Sequence, residues 1–165
     1  MMMEEEYKKV YYKVSKYCSS AERSRYDVIQ KLVRMGVEED VHSRLLQQLE
    51  EEKYLDEQRF AGAFAKDKMR FNGWGPQKIY YALKHKQIDC HLIDEAIRQL
   101  YDEENEVTPL DKLKQLVKNK LNSIKEPDPV KRFAKVVRFA TNKGYSYSDV
   151  KETINLLDKE CGQLE

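Results

Sequence analysis

Apolar residues recur three and four positions apart along most of this chain, the signature of helices that bury one face. The pattern also repeats on a longer scale. Three segments end alike: Ser24 to Val37, Gly75 to Ile88, and Arg132 to Tyr145. Aligned end to end, they place Val28, Ile79 and Val136 at one position and Leu32, Leu83 and Ala140 at another. Val37, Ile88 and Tyr145 close them, and Glu38, Asp89 or Ser146 follows. A second apolar stripe comes next. It runs Val41, Leu45, Leu46, Leu49 in the first copy, Leu92, Ile93, Ala96, Ile97, Leu100 in the second, and Val150, Ile154, Leu157 in the third. Repeats of about 50 residues are stacked supersecondary units, each too small to bury its face alone. No stretch alternates with period two, so no sheet is expected.

Start and stop residues place the helix ends. Asp56 can cap a helix with its carboxylate, and Leu55 and Phe60 flank that cap as a hydrophobic staple. Gly75-Pro76 and Asp128-Pro129 put proline at a first helical position. Met35-Gly36-Val37 and Lys143-Gly144-Tyr145 end helices on a glycine able to turn left-handed. The expected fold is all-α: nine helices in three tandem three-helix modules, forming an elongated, curved helical repeat. The modules span residues 7–55, 56–102 and 108–164. Asp102 to Glu106 reads as an acidic linker, Ser123 to Pro129 as a loop inside module three, and Met1 to Glu6 as frayed.

Composition narrows the function classes. Of 165 residues, 36% are charged and 41% apolar, with only six Gly and four Pro. That suits exposed helices and excludes a disordered chain. There is no apolar run of about 18 residues to span a membrane, and the acidic N-terminus does not read as a signal peptide. Three scattered cysteines, Cys18, Cys90 and Cys161, point to a reducing cytoplasm rather than a disulfide framework. His85, Cys90 and His91 are the one group of metal-ligand types, but they cross a helix end and lack a second pair. No Gly-rich phosphate loop, Ser-His-Asp or Cys-His arrangement is present. No enzyme activity, metal or cofactor is expected.

Net charge is +1, yet the charges are sorted. From Arg59 to Lys86, seven basic residues face Asp67 alone, and Lys112 to Lys143 carries ten against Glu126 and Asp128. The candidate contact residues are Arg59, Lys66, Lys68, Arg70, Lys78 and Lys84 in the first island, and Lys131, Arg132, Lys135 and Arg138 in the second. Such islands suit a polyanion or an acidic protein groove; the plainer reading is a solvated helix face. Arg59 sits in the first turn of its helix, where a cation opposes the macrodipole. It either meets a partner or pairs with Asp56 or with another module. Trp74 is a lid on the core or a partner contact. Of Tyr80 and Tyr81, one faces the core, and the exposed one can stack on a base beside Lys78 and Lys84.

Tyr54-Leu55-Asp56-Glu57-Gln58-Arg59-Phe60-Ala61, then Gly75-Pro76-Gln77-Lys78-Ile79, then Leu83, Lys86 and Ile88, resemble the RecX family of recombination regulators. The outer modules follow its pattern through Ser24-Arg25-Tyr26 and Lys143-Gly144-Tyr145-Ser146. Gln87 departs from it, standing where the family often has glycine. The resemblance implies a cytoplasmic protein that binds the RecA filament on DNA, lying in its helical groove, and that modulates, usually inhibits, recombination and the SOS response; the chain itself is expected to be an elongated monomer. It carries no catalytic residues. Two other readings stay open: a helical repeat that binds nucleic acid directly, and an adaptor with no nucleic-acid role.

Overall fold

The computed structural model describes residues 2–162, and the expected end of module three, at residues 163–164, lies outside them. Among the described residues there are nine α-helices and no strand: α1 Glu4–Ser20, α2 Arg25–Arg34, α3 Glu39–Glu51, α4 Glu57–Asn72, α5 Pro76–His85, α6 Cys90–Leu100, α7 Pro109–Ser123, α8 Pro129–Asn142 and α9 Tyr147–Gly162. The aligned positions of the repeat are its core. Val28, Ile79, Val136, Leu32, Leu83 and Ala140 are all fully buried. Three separate apolar clusters result, one for each group of three helices. Because the clusters stand in a row, the chain exposes 11050 Å², where a compact chain of this mass would expose about 8,600 Å². The fold is an elongated repeat of three-helix units.

Most caps fall where the sequence puts them. Asp56 accepts from the Arg59 amide at 3.0 Å, and Asp128 accepts from Val130 at 2.9 Å. Gly36, Gly73 and Gly144 take positive φ at helix ends. Two expectations change. The Met1 to Glu6 segment is not frayed throughout, because α1 already begins at Glu4. Three glutamates favour the positive end of the helix, and Arg44 of α3 pairs with Glu4 at 3.1 Å. Leu55 and Phe60 are both buried, but they join different clusters. The Leu55 amide donates back to the Leu49 carbonyl at 3.2 Å, which turns its side chain into the first module.

Candidate partner-binding surface

The surface is shaped by two seams between modules, built at equivalent positions of the repeat. At each, the start of one module's second helix meets the end of the next module's second helix. Between modules two and three the contact is backbone on backbone. Lys143 O accepts from Gly75 N at 2.7 Å, and Gly144 O accepts from Gln77 N at 3.0 Å. The carbonyl end of α8 therefore caps the amide end of α5, which has no side-chain cap of its own. A Cβ on Gly75 would lie 2.5 Å from the Gly144 carbonyl carbon, and one on Gly144 would lie 2.5 Å from Lys78 Cβ. Third-module side chains also cap the end of α4. Tyr145 Oη donates to Gly73 O at 3.2 Å, and Lys143 Nζ donates to Asn72 O at 3.2 Å. Burial pushes the Tyr145 phenol pKa up.

Between modules one and two the equivalents of the two glycines are Ser24 and Gln87. Here side chains make the seam. Asp27 and Lys86 pair at 2.6 Å, with only 17% and 27% of their side chains exposed. Glu57 accepts from the Arg25 amide at 3.0 Å, and the Tyr26 and His85 rings pack at a tilt of 57° with centroids 5.9 Å apart. Burial alone would raise the Asp27 carboxyl; bonds from Lys86 and Ser24 outweigh it and hold the group below its ordinary range. Burial raises Glu57, and its bond from Arg25 only partly offsets that.

The ten candidate cations divide by what they touch. Arg59 is tied to the first module, with Nε 2.6 Å from Glu22 and its guanidinium donating to the Lys53 and Tyr54 carbonyls. Arg132 donates to Leu121 O at 2.5 Å, and Lys135 pairs with Glu126 at 3.2 Å. Lys84 donates to the Cys90 sulfur at 2.9 Å; that bond, with one from the Tyr80 hydroxyl at 3.7 Å, holds the Cys90 thiol below its usual pKa. Lys66, Lys68, Arg70, Lys78, Lys131 and Arg138 have no carboxylate within 4.0 Å among the described residues. Lys66 and Arg70 lie one turn apart on α4 beside a cavity of about 470 Å³. Lys131 and Arg138 are exposed on α8.

Trp74 is half-buried against Phe64, with Lys68 Nζ 4.9 Å and Lys78 Nζ 4.7 Å from its ring centroid. It covers the core and is also part of the basic surface. Tyr80 is half-buried, and Tyr81 is 71% exposed. Sequence reasoning missed Phe71, which is 79% exposed at the end of α4. It also missed the Asp27–Lys86 pair, whose partners lie 59 residues apart. No motif signals either one, although an acid at the third position of a helix is a cap signal that marks Asp27 locally.

Comparison with known proteins places this architecture. The sequence model for the second three-helix domain of RecX matches residues 56–97, and the model for the third matches 106–154. Regulatory protein RecX of Acinetobacter baylyi is 30% identical over 139 residues, which are 84% of this chain and 82% of that protein. This chain belongs to the RecX family. Regulatory protein RecX of Clostridium botulinum (strain Eklund 17B / Type B) is 32% identical across 80% of this chain but only 60% of its own length. The chain thus spans about three fifths of that longer RecX. The crystal structure of RecX from Lactobacillus salivarius superposes with a TM-score of 0.80, covering 92% of this chain and 96% of that one at 23% identity, and so shares the fold. No helix among the described residues is long and apolar enough to cross a membrane.

Proposed function

We propose that this chain is a non-catalytic, cytoplasmic regulator of RecA that acts as a monomer and binds the RecA filament on DNA through its central and third modules. The observation that carries this reading is the set of cations with no carboxylate partner among the described residues, Lys66, Lys68, Arg70, Lys78, Lys131 and Arg138, on modules joined by backbone hydrogen bonds. A solvated helix face commonly laces such charges into ion pairs; these remain available to phosphates or to acidic side chains. The elongated repeat suits an extended partner more than a pocket-bound one. The inhibitory sign and the link to recombination and the SOS response follow from the family resemblance.

RecA ATPase and strand exchange on single-stranded DNA, with and without the protein, test the reading. Charge reversal of Lys66 and Arg70, and separately of Lys131 and Arg138, should weaken binding to the RecA-coated strand while the helical spectrum persists. Each lost phosphate contact should make the salt dependence shallower by about one unit of slope. Unaltered RecA activity in the presence of the folded wild-type chain would overturn the proposal.

A further inference from the structure

The two seams differ in one more way. Tyr26 and His85, whose rings pack against each other across the first seam, are matched in the repeat by Gln77 and Asn142 at the second. There a shallow, solvent-open groove of about 340 Å³ is lined by Gln77, Lys78, Tyr81, Thr141, Asn142 and Gly144. Its walls come from α5 and from the end of α8, which the Gly75–Gly144 contact locks together. The groove is therefore present before anything binds.

Its chemistry is specific. The Tyr81 ring is exposed at the rim. The Gln77 and Asn142 amides offer donors and acceptors, and neither side chain is hydrogen-bonded to another described residue. Lys78 is a cation at the position where the first seam has Asp27, so the residue that seals one seam is replaced at the other by a charge over Trp74. No carboxylate among the described residues lines the groove. A flat ring with polar edges, attached to an anionic backbone, satisfies all of these groups together.

We propose that the seam between modules two and three holds one unstacked base of a single-stranded nucleic acid. The base lies on Tyr81, its edge meets the Gln77 and Asn142 amides, and the adjoining phosphate meets Lys78. The inference rests on the reading that this chain works on nucleic acid within a filament, but its test is separable from that reading.

The experiment titrates the full chain with a labelled polythymidine of about 15 nucleotides and with an oligomer of the same length and charge whose bases are removed. The wild-type chain should prefer the oligomer with bases by about ten-fold or more, the scale of stacking a base on an aromatic side chain. Tyr81→Ala should lose that preference and Tyr81→Phe should keep it. The double variant Gln77→Tyr with Asn142→His rebuilds the ring pair of the first seam, and it should lose the preference with Tyr81 intact. Equal binding of both oligomers by the wild type, no binding at all, or full base preference in Tyr81→Ala would each overturn the proposal. Binding of Tyr81→Ala to RecA-coated DNA, measured alongside, reports on the filament reading alone: that reading survives if the base preference fails but filament binding persists.

Discussion

The two seams solve one geometric problem with different chemistry. Where glycine stands on both sides, at Gly75 and Gly144, the backbones touch and one helix end caps another. Where the same positions are Ser24 and Gln87, the contact passes to Asp27, Lys86, Glu57 and Arg25. Backbone hydrogen bonds between buried groups are insensitive to ionic strength. Partly buried ion pairs respond to salt less than exposed ones do, but they respond to pH through their carboxylates. The second seam is thus closed by backbone contact, and the first by titratable side chains. The lesson is that repeats of one fold need not share one seam chemistry, since glycine at both positions lets backbones meet and other residues pass the contact to side chains.

Gly144→Ala is the strongest way to break the contrast. The new Cβ would meet Lys78 Cβ at 2.5 Å and Lys78 N at 2.7 Å, at a φ of +105° that side chains avoid. Overpacking and backbone strain together should cost about 2–5 kcal/mol. Urea unfolding should show the third module separating from the second; a midpoint equal to that of the parent would mean that the glycine contact does not hold the seam.

Asp27→Asn should cost less, about 1–3 kcal/mol, because the pair is only partly buried and leaves Lys86 a route to water. The loss should fall on module one, read by hydrogen exchange in α2. Its pH dependence has a definite sign. The Asp27 pKa is depressed in the fold, so its contribution is present above the unfolded carboxylate value of about 3.9 and fades as pH falls through the folded value. Glu57 is shifted upward and acts in the opposite sense, favouring the fold most when protonated. Acid should therefore loosen the first seam in the parent and have less effect on Asp27→Asn. Equal acid sensitivity in both would remove Asp27 from the account.

The smallest effect is a gain. Gln87 holds a φ of 61° at the end of α5, a left-handed conformation that costs a side-chain residue and not glycine. Gln87→Gly should stabilise the chain by about 0.5–1 kcal/mol and make the first seam resemble the second more closely. A thermal midpoint lower than the parent's would show that the Gln87 side chain makes a contact worth more than the strain.

The helices were legible because their signals are local. Gly75-Pro76, Asp128-Pro129 and Asp56 mark starts that the structure keeps, and the aligned Val28, Ile79 and Val136 mark a core that it buries. Gln87 was legible as a departure at a helix end, and its left-handed backbone shows why glycine suits the site. What depends on distant partners was not legible. Gly75 read only as a permissive cap residue; its need for close approach comes from Gly144, 69 positions away. The sequence left Arg59 between a partner and an intramolecular pair, and only the meeting of α4 with Glu22 supplies the pair. Leu55 looked like a staple because spacing says nothing about which neighbour a side chain turns toward.

Asp27 has a consequence for how the stabilities of the first two units are linked. Its carboxylate accepts from Ser24 N at 3.0 Å, completing the cap of α2, and also from Lys86 of the next module. One group serves a local nucleus and a neighbour coupling together. In a one-dimensional array, cooperativity is set by coupling between neighbours relative to the stability of each unit alone. Through Asp27, the second helix of the first unit should therefore be more stable when the central unit is formed. Melting of the central unit then takes the first with it, whereas loss of the first leaves the glycine-clasped pair standing.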